Sequence, residues 1–315
     1  MENRFKNLRT ILIGLLQWLL FFELFTLQAA TMPGKAMNPV DLQLNVLTFN
    51  IRFGTADDGE DSWVNRNELV FEVLRQTRPD IVGLQEALRF QLDEICARFP
   101  EYAEIGVGRD DGKTAGEYSA ILYLRDRFVA VESGTFWFSD TPDQPGSKHW
   151  GNEIPRICTW ARLQDKETGH DFLFFNVHLD HASPASREKS VTFLSRYIEE
   201  VRKNEPFVVT GDFNAGENNP AILYLKGKPA IVDTKEEVAL PSFPLTDAYR
   251  VVHPEATAVG TFNGFTGMMT GDKIDYILVP DGIKVLDADI VHFQKGGHYP
   301  SDHFPVTARI LISPH

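Results

Sequence analysis

The sequence predicts an α/β (α+β) fold in which strands and helices alternate along a single domain. The chain of 315 residues contains short runs of β-branched and aromatic residues, such as residues 207–210, that are typical of buried strands. Between several of these runs, apolar residues recur at helical spacing, as in residues 63–78. The sequence shows no internal repeat and no low-complexity linker, so one domain is the simplest organisation.

The first part of this domain alternates strand and helix. Residues 43–51 alternate apolar and polar side chains and predict a strand. A helix is predicted from residue 61 to residue 78, and Pro79 ends it because proline cannot continue a helix. Residues 80–86 then predict a second strand and residues 88–99 a second helix. The order is therefore strand, helix, strand, helix.

The rest of the domain is richer in strands. Three successive segments predict a meander, over residues 118–124, 129–138 and 157–163. A helix begins after Ser183 as cap, has Pro184 in its first turn and runs to about residue 203. The other predicted elements are a strand over 172–178, a strand that begins at 207 and stops at Gly211, a short helix over 244–252, a strand over 273–279 and a last strand after 299–306.

The N-terminal segment predicts export. Residues 1–30 have the layout of a secretory signal peptide, with three basic residues before an apolar stretch over residues 11–27 and a small-residue exit. An N-terminal membrane anchor is the alternative, although Glu23 disfavours residence in lipid. We expect a secreted or periplasmic protein. Residues 31–42 predict a flexible lead-in, and residues 43–315 the folded domain.

Charge and cysteine content disfavour nucleic-acid binding and a disulfide-based fold. The chain carries a formal net charge of −13, whereas a protein that neutralises many nucleic-acid phosphates needs a basic stripe. Nucleic acid is therefore a possible but disfavoured partner. The two cysteines, Cys96 and Cys158, are expected to be small buried residues rather than a disulfide, a metal site or a nucleophile.

Polar side chains stand at the ends of five separate strand-like segments. They are Asn50, Glu86, His178, Asp212 with Asn214, and Asp302 with His303. Asp212 and Asn214 are two residues apart, so in an extended chain they point to the same side. Carboxylate and amide oxygens together with imidazoles suit Mg²⁺, Mn²⁺ or Ca²⁺ better than a structural zinc ion. These residues predict a metal site beyond the strand ends, where α/β sheets place their ligands.

Seven motifs, in this order along the chain, resemble those of the endonuclease/exonuclease/phosphatase superfamily. They are Leu47-Thr48-Phe49-Asn50, Val82-Gly83-Leu84-Gln85-Glu86, Gly116-Glu117-Tyr118-Ser119-Ala120, Asn176-Val177-His178-Leu179, Gly211-Asp212-Phe213-Asn214-Ala215, Lys273-Ile274-Asp275-Tyr276 and Ser301-Asp302-His303. The resemblance implies a deoxyribonuclease-I-like fold, a four-layer sandwich of two packed, mostly antiparallel β-sheets flanked by helices. It also implies metal-dependent hydrolysis of phosphoesters, and the likeness is greatest to exported bacterial members.

The resemblance further implies roles for individual residues. Glu86 matches the metal-binding glutamate, and Asn50, Asp302 and Asp212 would lie at the same ion. Asp212 and Asn214 match the pair that orients the attacking water and the phosphoryl oxygens.

Two histidines complete the set that the resemblance implies. His303 would contact the scissile phosphate with Asp275 as its partner, and His178 is the second histidine with Glu117 beside it. An acid beside each imidazole is expected to raise the pKa of both histidines.

Several other residues leave alternatives open. Arg156 is either a phosphate contact or a surface strand residue. Trp63 and Trp150 are either cleft or core residues, whereas Trp137 is expected in the core. Arg52 departs from the acid that some nucleases of the superfamily carry two residues after the first asparagine, which leaves the number of metal ions open.

Three polar residues near the motifs are expected to have structural roles: Asp180, His181 and Asp247. His178 and His181 are three residues apart and would face opposite ways on a strand, so they should not bind one ion together.

The predicted function is hydrolysis of a phosphomonoester or phosphodiester by in-line attack of water, assisted by Mg²⁺, Mn²⁺ or Ca²⁺. The acidic charge favours a small phosphorylated metabolite, a phosphosugar or a lipid headgroup as substrate. The alternatives are an extracellular or periplasmic nuclease and a catalytically silent binding module on the same fold. We expect a monomer without a stable membrane partner beyond the N-terminal segment.

Overall fold

The computed structural model describes residues 41–230 and 239–313. The predicted signal peptide and most of the lead-in lie outside these residues and stay predictions. The domain begins slightly earlier than expected, because its first strand starts at Leu42. Within the part of the chain that is described, no helix has the length and apolar character needed to cross a bilayer.

Two six-stranded sheets form the centre of the molecule. The first has the strand order β11-β12-β1-β2-β4-β3 and the second the order β5-β6-β7-β8-β10-β9. The strands of the first sheet are β1 Leu42–Asn50, β2 Ile81–Ala87, β3 Tyr102–Ile105, β4 Tyr118–Leu124, β11 Ile283–Ile290 and β12 Val306–Ile312. Those of the second are β5 Phe128–Trp137, β6 Ile157–Asp165, β7 Asp171–His178, β8 Phe207–Asp212, β9 Leu245–Asp247 and β10 Asp275–Pro280.

Helices cover the outer faces of both sheets, except for the last one, which adds Ala248 and Tyr249 to the apolar cluster between the sheets. They are α1 Trp63–Thr77, α2 Arg89–Arg98, α3 Pro184–Val201, α4 Pro220–Leu225 and α5 Ala248–Val252, with a 3₁₀ turn at Gly59–Asp61. Helix α3 begins as predicted, since the Ser183 hydroxyl accepts a hydrogen bond from the Ser186 N–H and proline occupies its first turn.

Parallel pairing occurs once in each sheet, where a helix connects neighbouring strands. Strands β1 and β2 are parallel and joined through α1, and β7 and β8 are parallel and joined through α3. The other strand pairs are antiparallel. Because parallel strands run in the same direction, each helix connection brings two strand ends to the same edge of its sheet.

Three apolar clusters give the sandwich its layers. On β7, Phe172 and Phe174 face the cluster between the two sheets, whereas Leu173 and Phe175 face the cluster under α3. A third cluster packs α1 and α2 against the first sheet. Both faces of the central strands are therefore buried, which explains their nearly continuous apolar sequences. The predicted mostly antiparallel four-layer sandwich is confirmed.

A buried polar layer joins the two sheets just below the C-terminal ends of β2 and β7. The amide of Gln85 donates to Asn176 Oδ1 at 2.7 Å, and Asn176 donates to the carbonyls of Leu84 and Ala120. Gly83 leaves room for this contact, since a Cβ there would lie 2.6 Å from Asn176 Oδ1. These hydrogen bonds fix the register of one sheet relative to the other just below the strand ends.

Four short or peripheral elements were not predicted from the sequence, namely β3, β9, β11 and α4. The segment predicted as a helix over 244–252 is instead the three-residue strand β9 followed by the one-turn helix α5. Strand β9 forms because it adds to the edge of β10, and this tertiary pairing overrides the local helical pattern.

Candidate active site

A cleft of about 580 Å³ lies where the ends of β1, β2, β7 and β8 meet the loops before β10 and β12. Eight of the ten predicted site residues line it: Glu86, Glu117, Arg156, His178, Asp212, Asn214, Asp302 and His303. The other two, Asn50 and Asp275, are buried immediately behind and hydrogen-bond to Asp212 and His303. The structure thus brings all ten together, from segments far apart in the sequence.

Glu86 is held in the cleft by an irregular end of β2. The pairing of β2 with β4 shifts register between Leu84 and Ala87, and Glu86 adopts a φ of 62°. Such left-handed geometry is costly for a residue with a side chain and is concentrated at functional sites. The Phe53 N–H and the Asn50 amide donate to its two oxygens at 3.1 and 3.0 Å, so the carboxylate orientation is fixed.

Asp212 is the centre of the hydrogen-bond network. Its Oδ1 accepts the Asn214 N–H at 2.9 Å, and its Oδ2 accepts the Asn50 amide at 3.0 Å. The Nε2 atoms of His178 and His303 lie 3.5 and 3.8 Å from the same Oδ2. Burial raises the pKa of Asp212 to about 7, and the charge of nearby Asp275 adds to this effect.

The geometry of β8 requires Gly211 immediately before Asp212. Gly211 has a φ of 152°, and a Cβ there would lie 2.2 Å from the Val177 carbonyl oxygen. Only glycine allows β7 and β8 to approach this closely. The close approach sets His178 and Asp212 directly opposite each other on the two strands.

His303 is paired with a buried carboxylate, as predicted. Its Nδ1 lies 2.9 Å from Asp275 Oδ2. Burial alone would lower the pKa of His303, but the charges of Asp275 and Asp212 outweigh it and raise that pKa well above its ordinary value. The imidazole of His303 is therefore a cation at neutral pH.

His178 has the opposite charge state, and the prediction of a raised pKa for it is wrong. Glu117 Oε2 is 4.0 Å from His178 Nδ1, because both oxygens of Glu117 are bound to Arg109 at 2.6 Å. Burial lowers the pKa of His178 well below its ordinary value, and the charges of Arg156 and Arg109 lower it further. His178 is therefore neutral at neutral pH.

Comparison with known proteins identifies the family. The model of the Endonuclease/Exonuclease/phosphatase family matches residues 47–303. The chain belongs to this family. Members of this superfamily hydrolyse phosphoester bonds, and they depend on divalent metal ions, so the chain is a hydrolase of this class.

Two solved structures from bacteria are similar over most of the chain. The endonuclease/exonuclease/phosphatase from Bacteroides vulgatus is 34% identical, with a TM-score of 0.75 over 85% of this chain and 98% of that one. The mannosyl-6-phosphatase of Bacteroides thetaiotaomicron is also 34% identical, with a TM-score of 0.72 over 85% of this chain and 99% of that one. Nocturnin of Drosophila melanogaster is 23% identical over 87% of this chain, which covers 46% of that longer protein.

The acids of this phosphoesterase fit a hard divalent cation. Glu86, Glu117 and His178 each have a ligand-type atom within 4.8 Å of the others, and so do Asp212, Asp275 and His303, although His303 as a cation has no lone pair to offer an ion. Oxygen-rich clusters of this kind suit Mg²⁺, Mn²⁺ or Ca²⁺. Both clusters lie at the cleft, which supports a divalent ion there.

The predicted ligands differ in how they face this site. Asn50 Oδ1 accepts the Arg52 N–H at 3.0 Å, and its amide nitrogen faces Glu86 and Asp212, so it orients two acids in this arrangement. Asp302 Oδ1 accepts the Ser301 hydroxyl at 3.1 Å. Burial raises the pKa of Asp302. The ligand roles of Asn50 and Asp302 stay predictions.

Arginines on one wall of the cleft are already paired with acids. Arg156 is only 3% exposed, and its Nε lies 3.4 Å from Asp180 Oδ2. Its Nη2 lies 2.7 Å from His181 Nδ1. Arg156 is therefore a cleft residue rather than a surface strand residue, and His181 lines the same wall. The structural role expected for His181 stays a prediction.

Sequence reasoning also missed Arg109, Phe262 and Met268. Arg109 is on the loop before β4, where it pairs with Glu117. Phe262 and Met268 also line the cleft and remain 45% and 49% exposed. All three lie in irregular segments, where periodicity carries no signal. The short spacing between Arg109 and Glu117 was the one available indication of an ion pair.

The remaining predictions concern residues outside the cleft. Trp63 and Trp137 are buried in the core, and no tryptophan in the described residues lines the cleft. Cys96 and Cys158 are both free; Cys158 is buried as expected, whereas Cys96 is only half-buried. Asp247 caps α5 through the Tyr249 N–H and pairs with buried Lys273, which agrees with a structural role.

A larger cavity lies at the opposite end of the sandwich. It has a volume of about 740 Å³ and is lined by loop residues such as Arg202, Ser242 and Gly282. Within residues 41–230 and 239–313, the two clusters of acids and imidazoles are the ones at the smaller cleft, and none of their residues lines this cavity. We therefore place the chemistry at the smaller cleft.

Proposed function

We propose that the protein is a divalent-metal-dependent phosphatase that removes the phosphoryl group from a small, sugar-like alcohol. The observation that carries this proposal is the charge of the cleft. Arg52, Arg109 and Arg156 line it, and each lies within 3.4 Å of a carboxylate of the chain itself. Because these cations are already neutralised, the cleft offers one compact phosphate position rather than a basic track for a polyanion.

The shape and lining of the cleft support a small organic group. Its lining combines hydrogen-bonding side chains, including Arg156 and His181, with the exposed apolar side chains of Phe262 and Met268. Small-molecule sites typically combine apolar surface with a few placed polar groups. A sugar ring has both hydroxyl edges and an apolar face, so it matches a lining of this mixed character. The 34% identity to a mannosyl-6-phosphatase also favours this class of substrate.

The residues of the chain suggest a division of labour in the reaction. Asp212, with a pKa of about 7, accepts the proton of the attacking water while Asn214 orients the phosphoryl group. Cationic His303 donates a hydrogen bond to a phosphoryl oxygen, and neutral His178 contacts a second oxygen. Donors that are already in position when charge develops are the larger part of such catalysis.

Glu86 would hold the divalent ion, with Mg²⁺ as the proposed metal, and Asp302 and Glu117 lie in position to contribute further oxygen atoms. When bound, such an ion stabilises negative charge on the phosphoryl oxygens and the leaving group. The Asn50 amide and the Phe53 N–H keep the Glu86 carboxylate in place for this purpose. The metal itself and the substrate are the two parts of this proposal that solution experiments must test.

A substrate screen tests the proposal directly. The purified protein is incubated with hexose 6-phosphates, glycerol 3-phosphate, inositol phosphates, phospholipids, RNA and DNA, with Mg²⁺, Mn²⁺ or Ca²⁺, and released product is measured. We expect the hexose phosphates to give kcat/KM values at least about 100-fold above those of nucleic acids, a preference equal to about 2.7 kcal/mol. Asp212→Asn serves as the inactive control.

Two outcomes would contradict the proposal. Faster cleavage of RNA or DNA would establish the nuclease alternative. Tight binding of a phosphorylated ligand without any product, under every metal tested, would establish the silent binding module.

A further inference from the structure

Arg66 is a large buried side chain that the proposed mechanism does not use. It is 1% exposed and lies in the first turn of α1. Its guanidinium donates four hydrogen bonds to main-chain carbonyl oxygens. The acceptors are Asp61 at 2.8 Å, Ile51 at 2.8 Å, Pro300 at 2.8 Å and Arg52 at 3.1 Å. The guanidinium also lies over the rings of Trp63 and Phe265, at 5.3 and 5.5 Å, but it has no carboxylate partner among its hydrogen bonds. Burying a cation without a paired acid is costly, so its role is expected in the connection that its fork makes.

The connection begins where the strand hydrogen bonds end. The antiparallel pairing of β1 with β12 ends at Thr48 and Val306. Beyond that pair, one nitrogen of Arg66 donates to the carbonyl oxygens of both Ile51 and Pro300. The guanidinium therefore holds together two chain segments that have left the sheet, and its bond to Pro300 joins residues 234 positions apart in the sequence.

These two segments carry predicted metal ligands. Asn50 is the last residue of β1 and directly precedes Ile51. Asp302 lies two residues after Pro300. The Ser301 hydroxyl makes a smaller link at the same junction, since it bonds to the Asn50 carbonyl at 2.7 Å and to Asp302 Oδ1 at 3.1 Å. Arg66 also fixes the carbonyl of Arg52, whose φ of 55° is unfavourable without such support.

A second buried arginine provides an internal comparison. Arg187 is the fourth residue of α3, as Arg66 is of α1, and both helices connect parallel strands. Arg187 donates to the carbonyls of Asp180 and His181 at 2.8 and 3.2 Å. It therefore holds one loop on its own helix, whereas Arg66 joins two separate segments of the site.

We propose that Arg66 is a positioning residue that fixes Asp302 relative to Glu86 and thereby sets the affinity for the divalent ion. The ion needs carboxylates at a defined separation, and residues that orient ligands commonly change metal affinity when they are substituted. This inference rests on the metal dependence of the proposed function and not on the identity of the substrate.

The test measures Mn²⁺ affinity by titration calorimetry in the full chain. Arg66→Lys keeps the charge but loses the planar fork, and it should weaken Mn²⁺ binding about 10- to 100-fold. Arg187→Lys is the matched control and should leave the Mn²⁺ dissociation constant within about twofold. Ser301→Ala removes the smaller link and should weaken binding by about threefold to tenfold, and it replaces Arg66→Lys if that variant does not fold.

The thermal midpoint in EDTA separates positioning from stability. Positioning predicts that Arg66→Lys and Arg187→Lys lower this midpoint similarly but differ in Mn²⁺ affinity. Wild-type Mn²⁺ affinity in folded Arg66→Lys, or in Ser301→Ala where Arg66→Lys does not fold, would overturn the inference alone. A wild-type protein that binds no divalent ion would overturn the metal site and the inference together.

Discussion

The two histidines of the cleft stand on either side of Asp212 and differ in charge. His303 has Asp275 2.9 Å behind it, whereas the acid behind His178 is 4.0 Å away and is bound to Arg109. Burial acts in the same direction on both imidazoles, so their neighbours decide the difference. The comparison teaches that an acid near a histidine raises its pKa only when that acid is not already neutralised by an arginine.

The largest expected effect comes from removing either the cation or the shared carboxylate. His303→Ala and Asp212→Asn should each lower kcat/KM by about 10³-fold, because each removes a group that acts on developing charge. Steady-state kinetics with the best substrate of the screen checks this. Circular dichroism serves as the folding control, and near-wild-type rates in either folded variant would reject the assigned roles.

A smaller effect is expected when His303 loses only its partner. In Asp275→Asn the pKa of His303 should fall towards its ordinary value of about 6.5, so the rate loss should be slight at pH 6 and reach about 30-fold at pH 8. The pH dependence of kcat measures this. Asp281→Asn changes an exposed acid outside the cleft and is the matched control. A loss that does not depend on pH would show that Asp275 acts in another way.

Raising the pKa of His178 towards that of His303 should have a still smaller effect on kcat/KM. Arg109→Met removes a positive neighbour, so the pKa of His178 should rise while kcat/KM changes by about tenfold or less. Imidazole nitrogen shifts report the pKa directly. Arg89→Met breaks a similar two-bond pair with Glu104 outside the cleft and should leave His178 unchanged. No change of His178 in Arg109→Met would contradict our account of its charge.

The smallest effect concerns the free energy of unfolding of the metal-free protein. The two histidines should make this free energy change with pH in opposite directions. Below about pH 6.5 the unfolded chain binds a proton that folded His178 does not, so stability should fall as pH decreases. Above about pH 6.5 folded His303 keeps a proton that the unfolded chain loses, so its stabilising contribution should fall as pH rises through its raised pKa.

Urea unfolding in EDTA from pH 5 to pH 8.5 measures both slopes. Each histidine contributes at most about 1.4 kcal/mol per pH unit. His178→Gln should flatten the acidic side and His303→Gln the alkaline side. If each variant kept both slopes, other groups would have to account for them.

The strand ends could be predicted from the sequence because apolar runs show where each strand stops. Glu86, Asp212 and His303 were placed together on that basis and on the order of the motifs. The charge of His178 could not be predicted, since it depends on Arg109, which approaches from a loop without periodicity. Strand β9 was also missed, because its three residues become a strand only by pairing with β10.

The most direct test of this account is the protonation of the two imidazoles in the metal-free protein. ¹⁵N-labelled histidine side chains are observed by NMR from pH 5.5 to pH 8.5 and assigned with His178→Gln and His303→Gln. We predict that at pH 7 both nitrogens of His303 carry protons and that His178 carries one. A neutral His303, or a His178 that gains a second proton near pH 6.5 or above, would contradict the account.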